Sequence, residues 1–146
     1  MIGRELNVAL PLPPSVNHSH CNVRRRSKVG KVYTAKVPTS LTRSWRTKAH
    51  VTLRNAIVSQ AWRVPGKGAK VVVEVWYYWP DESYDRDTHN RIKEFMDALQ
   101  RALVFPNDCT ALAREQDYAC DPADPRLELR VYPMERAAGQ GEPGRA

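Results

Sequence analysis

The run Asp85-Arg86-Asp87-Thr88-His89-Asn90-Arg91-Ile92-Lys93 gathers residue types that can act on a phosphodiester. If residues 85 to 89 are extended, Asp85, Asp87 and His89 project to one side, because successive side chains alternate along such a chain. A helix opening at His89 or Asn90 then offers its first-turn N–H groups to an anion. Lys93 lies one turn into that helix, so its ammonium can reach the same space. Mg²⁺ takes oxygen ligands and keeps several waters, which leaves room for a substrate phosphate. Water activated by the metal can attack phosphorus while Lys93 offsets developing charge. The same residues have a plainer use. Asp favours turns and N-caps, and Lys93 can pair with Asp97 at i+4. Spacing alone leaves both readings open.

The surrounding elements must position this run. Leu6 to Leu10 reads as a strand stopped by Pro11, Pro13 and Pro14. Residues 15 to 38 carry Arg24, Arg25, Arg26, Lys28, Lys31 and Lys36 among few apolar residues, and like charges so dense predict a mobile loop. A helix is expected from Ser40 to Trp62, with Leu41, Trp45, Ala49, Leu53 and Ile57 on one face, Thr39 or Ser40 as cap, and Pro65-Gly66 as the stop. Lys70 to Trp79 is the strongest strand, being β-branched and aromatic. Trp76, Tyr77, Tyr78 and Trp79 could stack on unpaired bases or form core and dimer interface. The second helix runs to about Leu103, with Ile92, Phe95, Met96, Leu99 and Leu103 as its buried stripe. Pro106-Asn107-Asp108 is a turn. Ala111 to Ala119 is a weaker strand, and Leu127 to Tyr132 alternates as a half-buried one. The expected fold is a single α+β domain over residues 1–133, a small mixed β-sheet carrying two main helices in the order β-α-β-α-β-β. Residues 134–146 are expected to be a disordered tail.

The chain has 146 residues, enough for one domain and too few for two. Residues 1–50 hold ten Lys or Arg against one Glu, a net of +9, and the remainder holds thirteen against fifteen acids, a net of −2. Positive charge concentrated in one third suggests a polyanionic partner such as nucleic acid, with a solvated basic loop as the alternative. No apolar run approaches the ~20 residues of a membrane helix, and no signal-peptide pattern is visible, so the expected compartment is the cytoplasm. Cys21, Cys109 and Cys120 form no CxxC pair and suit a reducing compartment. Cys109 and Cys120 are expected to be small buried hydrophobes. His18, His20 and Cys21 have no fourth zinc ligand at a helpful spacing, so they read as loop residues.

Four short motifs give the chain a resemblance to a known family. Pro13-Pro14-Ser15-Val16-Asn17 follows the first strand. Asp87-Thr88-His89-Asn90-Arg91-Ile92-Lys93 opens a helix. Lys93 to Asp97-Ala98-Leu99 follows, then Asn107-Asp108. In order and spacing this resembles the RusA family of Holliday-junction resolvases, which shows Pro-Pro-Ser-x-Asn, Asp-x-Asp-Asn-x-x-Lys, a lysine-to-Asp-x-Leu run and an Asp-Asp turn. The resemblance spans residues 6 to 132.

The resemblance implies a homodimeric crossover junction endodeoxyribonuclease of DNA recombination and repair, a type frequent in phages and prophages. It implies Mg²⁺, with Mn²⁺ as the alternative, and neither a small-molecule cofactor nor a membrane partner. Asp87 corresponds to the first catalytic aspartate, Lys93 to the catalytic lysine, Asp108 to the aspartate beyond the helix, and Asn90 to an organising asparagine. Asn17, Arg86 and the basic residues from Arg24 to Lys36 are expected to contact the four-way junction. The departure is His89, standing where the family has a second aspartate. His89 can bind metal, favouring transition metals, act as a base, contact phosphate, or have no role. Asp85 can supply the missing carboxylate. The rival functions are a branched-DNA binder without catalysis, a nuclease for flaps and other branches, and an RNA-binding module.

Overall fold

The computed structural model describes residues 4–15, 18–82 and 88–134. The elements run β1 (Leu6–Leu10), β2 (His20–Arg26), β3 (Val32–Pro38), α1 (Ser40–Ser59), β4 (Val71–Trp79), α2 (His89–Arg101), a short 3₁₀ turn (Asp108–Thr110), β5 (Ala111–Cys120) and β6 (Arg126–Pro133). The fold is α+β, with a mixed four-stranded sheet in the order β1-β6-β4-β5 and a separate β2-β3 ribbon. β4 pairs antiparallel with β6 and parallel with β5. The parallel pair requires a crossover, and α2 provides it.

Every second residue of β4 faces the core. Val71, Val73, Val75, Tyr77 and Trp79 are all buried there, joined by Leu127, Leu129 and Val131 of β6 and by Leu6 and Leu10 of β1. Both helices cover this face with Trp45, Ala49, Leu53, Ala56 and Ile57 of α1 and Phe95, Ala98 and Leu99 of α2. The opposite face is polar apart from Val72, which is buried, and the aromatic residues Trp76 and Tyr78. There Arg130 bridges Glu5 at 2.5 Å and Glu74 at 3.2 Å, and Arg126 lies over the Tyr78 ring at 3.9 Å. Of the aromatic run, Tyr77 and Trp79 are core, while Trp76 and Tyr78 are half-buried on this polar face.

Several expectations need correction. The segment expected as a loop holds β2 and β3, which pair over seven residues each, from His20 opposite Pro38 to Arg26 opposite Val32. The cause is a tight turn: Gly30, at φ 82, donates to the Ser27 carbonyl at 3.0 Å, and the Ser27 N–H reaches Lys31 O at 2.8 Å. Glycine at that left-handed position closes a three-residue hairpin loop. β-branched Val23, Val32, Thr34 and Val37 support the strands against the charge repulsion.

Leu41 is 63% exposed, and Thr42 takes its place on the buried stripe, its hydroxyl donating to Ser19 O at 2.9 Å. Thr39 caps α1 as expected, accepting from Thr42 N. α1 ends before Pro65. Ala61 turns left-handed at φ 52, and Trp62 N donates back to Ile57 O at 3.0 Å. α2 ends in the same way, with Leu103 at φ 62 and Val104 N bonded to Leu99 O at 3.0 Å. Leu103 is therefore outside the helix and 57% exposed rather than on the buried stripe. Cys109 and Cys120 are exposed, because one sits in the 3₁₀ turn and the other ends the edge strand β5. Residues 135–146, most of the expected tail, lie outside the described residues, whereas Met134 still pairs, donating to Lys70 O at 2.8 Å. No helix among the described residues is long and apolar enough to cross a membrane.

Candidate active site

α2 starts at His89, where the sequence pattern expects it, and runs back beneath β4 from the carboxyl end of that strand. Carboxyl ends of parallel strands, where helices begin, are where α/β units gather ligands. A cleft of about 340 Å³ opens there, lined by Tyr77, Thr88, Glu115, Gln116, Asp117 and Tyr118. Its far wall is β5, made irregular by a bulge. Val75 pairs with Glu115, but Trp76 pairs with Asp117, so Gln116 is the extra residue. A bulge re-aims side chains, and here it separates two carboxylates along one wall.

Glu115 is held by its neighbours. The Tyr77 hydroxyl donates to Glu115 Oε1 at 3.1 Å. Burial first, and the adjacent Glu115 charge second, push the Tyr77 hydroxyl far above the ordinary tyrosine range, so it remains a proton donor. The Tyr77 ring stacks on Trp79 at 5.1 Å, and the guanidinium of buried Arg91 lies 5.3 Å from the centre of a Trp79 ring. A continuous contact path therefore runs from the first turn of α2 through the core to the cleft carboxylate. Arg91 also opposes the rise at Tyr77 through its positive charge.

The sequence-predicted residues fall into three groups. Asp85, Asp87, Arg86 and Asn17 lie outside the described residues. His89, Asn90 and Lys93 share the start of α2, with His89 and Lys93 exposed and Asn90 half-buried. Lys93 Nζ sits 3.4 Å from Asp97 Oδ2, its side chain 75% exposed. An exposed i,i+4 pair is worth only about 0.3–0.5 kcal/mol, so it restrains Lys93 little.

Asp108 forms the third group. Its N–H bonds to Gln100 Oε1 at 3.1 Å, near the other end of α2. Gln100 lies about 16 Å along the helix axis from His89, at about 1.5 Å per residue. Within one chain, Asp108 is thus at the opposite end of α2 from His89. Among the described residues, no three His, Cys, Asp or Glu side chains converge as a metal site.

Sequence reasoning missed Glu115, Arg91 and the Arg46–Glu94 pair. Arg46 Nε and Nη2 reach the two Glu94 oxygens at 2.5 and 3.3 Å, a two-pronged bond joining α1 to α2. That bond, by holding the guanidinium charged, keeps Arg46 above its ordinary range. The sequence carries no clear signal for this pair, since Lys93 is equally adjacent to the stripe residue Ile92 and yet is exposed. Nothing in the sequence marks Glu115, since its position depends on the bulge.

No family model matches the chain, and no curated protein matches it.

Proposed function

We propose that this protein is a metal-dependent endodeoxyribonuclease that cuts four-way DNA junctions, in the manner of the RusA family it resembles. The observation that carries the reading is the start of α2. The motif-bearing helix opens beside a cleft that already holds an anchored carboxylate. The cytoplasm is the corresponding compartment.

The donors lining the cleft fit a hard divalent cation, because Glu115, Asp117, Gln116 and Thr88 offer oxygen. When bound, the cation would neutralise the scissile phosphate and lower the pKa of the attacking water. Asp87 and Asp85 would add carboxylates from the connection preceding α2, and His89 a nitrogen. The first turn of α2 receives phosphate oxygens through its N–H groups. Lys93 places its ammonium where negative charge accumulates. Tyr77 holds Glu115 in one orientation.

Asp108 enters such a site only from a second subunit. β5 is a sheet edge whose residues from Arg114 to Cys120 are exposed, including Tyr118 at 59%. A strand at the end of a sheet can template another strand. Two copies of β5 paired antiparallel about a two-fold axis bring the Ala111 end of one beside the Cys120 end of the other. Asp108 of each copy then approaches the other's cleft. Two symmetric sites suit paired nicks in a two-fold junction.

The deciding experiment is cleavage of a fixed four-way junction with Mg²⁺ or Mn²⁺. Wild type should cut it in preference to flaps, Asp87→Asn should bind without cutting, and Lys93→Ala should lose most activity while keeping its fold. Binding without cleavage under either metal would sink the enzymatic reading. It would instead support a branched-DNA binder, the alternative favoured by the separation of Asp108 from His89 within one chain.

A further inference from the structure

Between Glu5 and Glu74 the sequence contains no carboxylate, and the β2-β3 ribbon lies inside that stretch. The six cations of the ribbon and its turn are all exposed, and none joins an ion pair among the described residues. The strand register sorts them. Asn22 faces Lys36, Arg24 faces Thr34 and Arg26 faces Val32, so these six side chains share one side. Cys21 faces Val37, Val23 faces Ala35 and Arg25 faces Tyr33 on the other side. The first side is exposed over these six residues and carries three cations, with the pair His20 and Pro38 half-buried at its base. The second is mostly apolar, carries Arg25 alone, and is partly covered at Ala35 and Val37. Lys28 and Lys31 extend the positive charge around the turn.

We propose that the Asn22, Arg24, Arg26, Thr34, Lys36 face is a nucleic-acid-binding surface that lies in the major groove of B-form duplex DNA, with Arg25 and Tyr33 turned away from it. Shape and charge both fit. Paired strands stand about 4.8 Å apart, and the major groove, about 12 Å wide, admits a two-stranded ribbon. Arg24 and Arg26 are two residues apart, about 6.8 Å along the strand, so both reach the same groove wall. Lys36 on the partner strand reaches across. The deep, narrow major groove of A-form RNA does not admit such a ribbon. The ribbon's base is fixed to the body, since Thr39 N and Thr42 Oγ1 both donate to Ser19 O, at 3.0 and 2.9 Å. A duplex held by the ribbon is thereby held in a set relation to α1. The inference rests on the junction-DNA reading but concerns binding alone.

The test is fluorescence anisotropy on a labelled four-way junction in EDTA, where no cleavage contributes, at several salt concentrations. R24A/R26A/K36A should weaken binding about tenfold or more and flatten the slope of log K against log salt by about 2.7, three contacts at about 0.9 each. R25A/Y33A should leave affinity within about twofold and the slope unchanged. The single reversals Arg24→Glu and Arg25→Glu should repeat the contrast, with melting curves showing each variant folded. Equal losses from the two faces, or loss confined to R25A/Y33A, would overturn the assignment. So would a structured RNA that displaces the junction more effectively than duplex DNA does. A clear two-face contrast in a protein that cuts nothing would uphold the ribbon surface and reject the nuclease.

Discussion

The Tyr77 hydroxyl donates a 3.1 Å hydrogen bond to Glu115, linking the buried centre of β4 to an exposed carboxylate beyond the bulge of β5. Tyr77 belongs to the core, and Glu115 belongs to the cleft. Core packing thereby sets the orientation of a carboxylate that lines the cleft.

Glu115→Gln should keep this hydrogen bond and the fold, yet lower metal-dependent cleavage at least about tenfold, the loss expected when a group supporting a metal site is changed. Tyr77→Phe should cost about 0.5–1.5 kcal/mol of stability, the net worth of one such bond. Thermal melts and cleavage rates measured side by side separate the two roles. Unchanged rates in Glu115→Gln would remove Glu115 from the site.

A site shared between subunits predicts complementation. Asp87→Asn and Asp108→Asn homodimers should each be inactive on junctions. Mixed and re-equilibrated, they should regain up to about a quarter of wild-type site activity, since half the dimers are mixed and each carries one intact site. No recovery, with exchange verified by mass spectrometry, would place all the ligands in one chain.

If the proposed likeness to the RusA resolvases holds, His89 stands at the position of their second aspartate. His89→Asp should cut and shift its preference toward Mg²⁺, because oxygen ligands suit that ion and nitrogen suits Mn²⁺ and later transition metals. His89→Ala should be nearly inactive. Metal-titrated cleavage by the two variants decides the matter, and wild-type rates in His89→Ala would make His89 a bystander.

Leu103 holds φ 62 while 57% exposed. A left-handed backbone costs an ordinary residue about 1–2 kcal/mol, and glycine avoids that cost. Leu103→Gly should therefore stabilise the protein by up to about 1 kcal/mol, offset in part by the greater freedom of glycine when unfolded. Chemical denaturation should show a raised midpoint with an unchanged slope. A lowered midpoint would mean that the remaining contacts of Leu103 outweigh its backbone strain.

Elements with one-sided periodicity or strong local composition were legible in the residues alone. The β-branched and aromatic run from Val71 to Trp79 and the stripe of Phe95, Met96 and Leu99 are local properties, and the strand and helix appear where they put them. Placement of His89 and Lys93 at the start of α2 follows from the same pattern. The basic segment misled because charge density suggested a loop, while the deciding feature was one glycine able to turn left-handed beside β-branched neighbours. The remaining features depend on pairing between residues distant in sequence. The bulge opposite Val75 puts Glu115 at the cleft, the register of β2 with β3 divides Arg24 and Arg26 from Arg25, and the length of α2 sets Asp108 apart from His89. Local periodicity records which side of an element is apolar. Register, bulges and helix ends arise from pairing between segments, and no single segment carries that information.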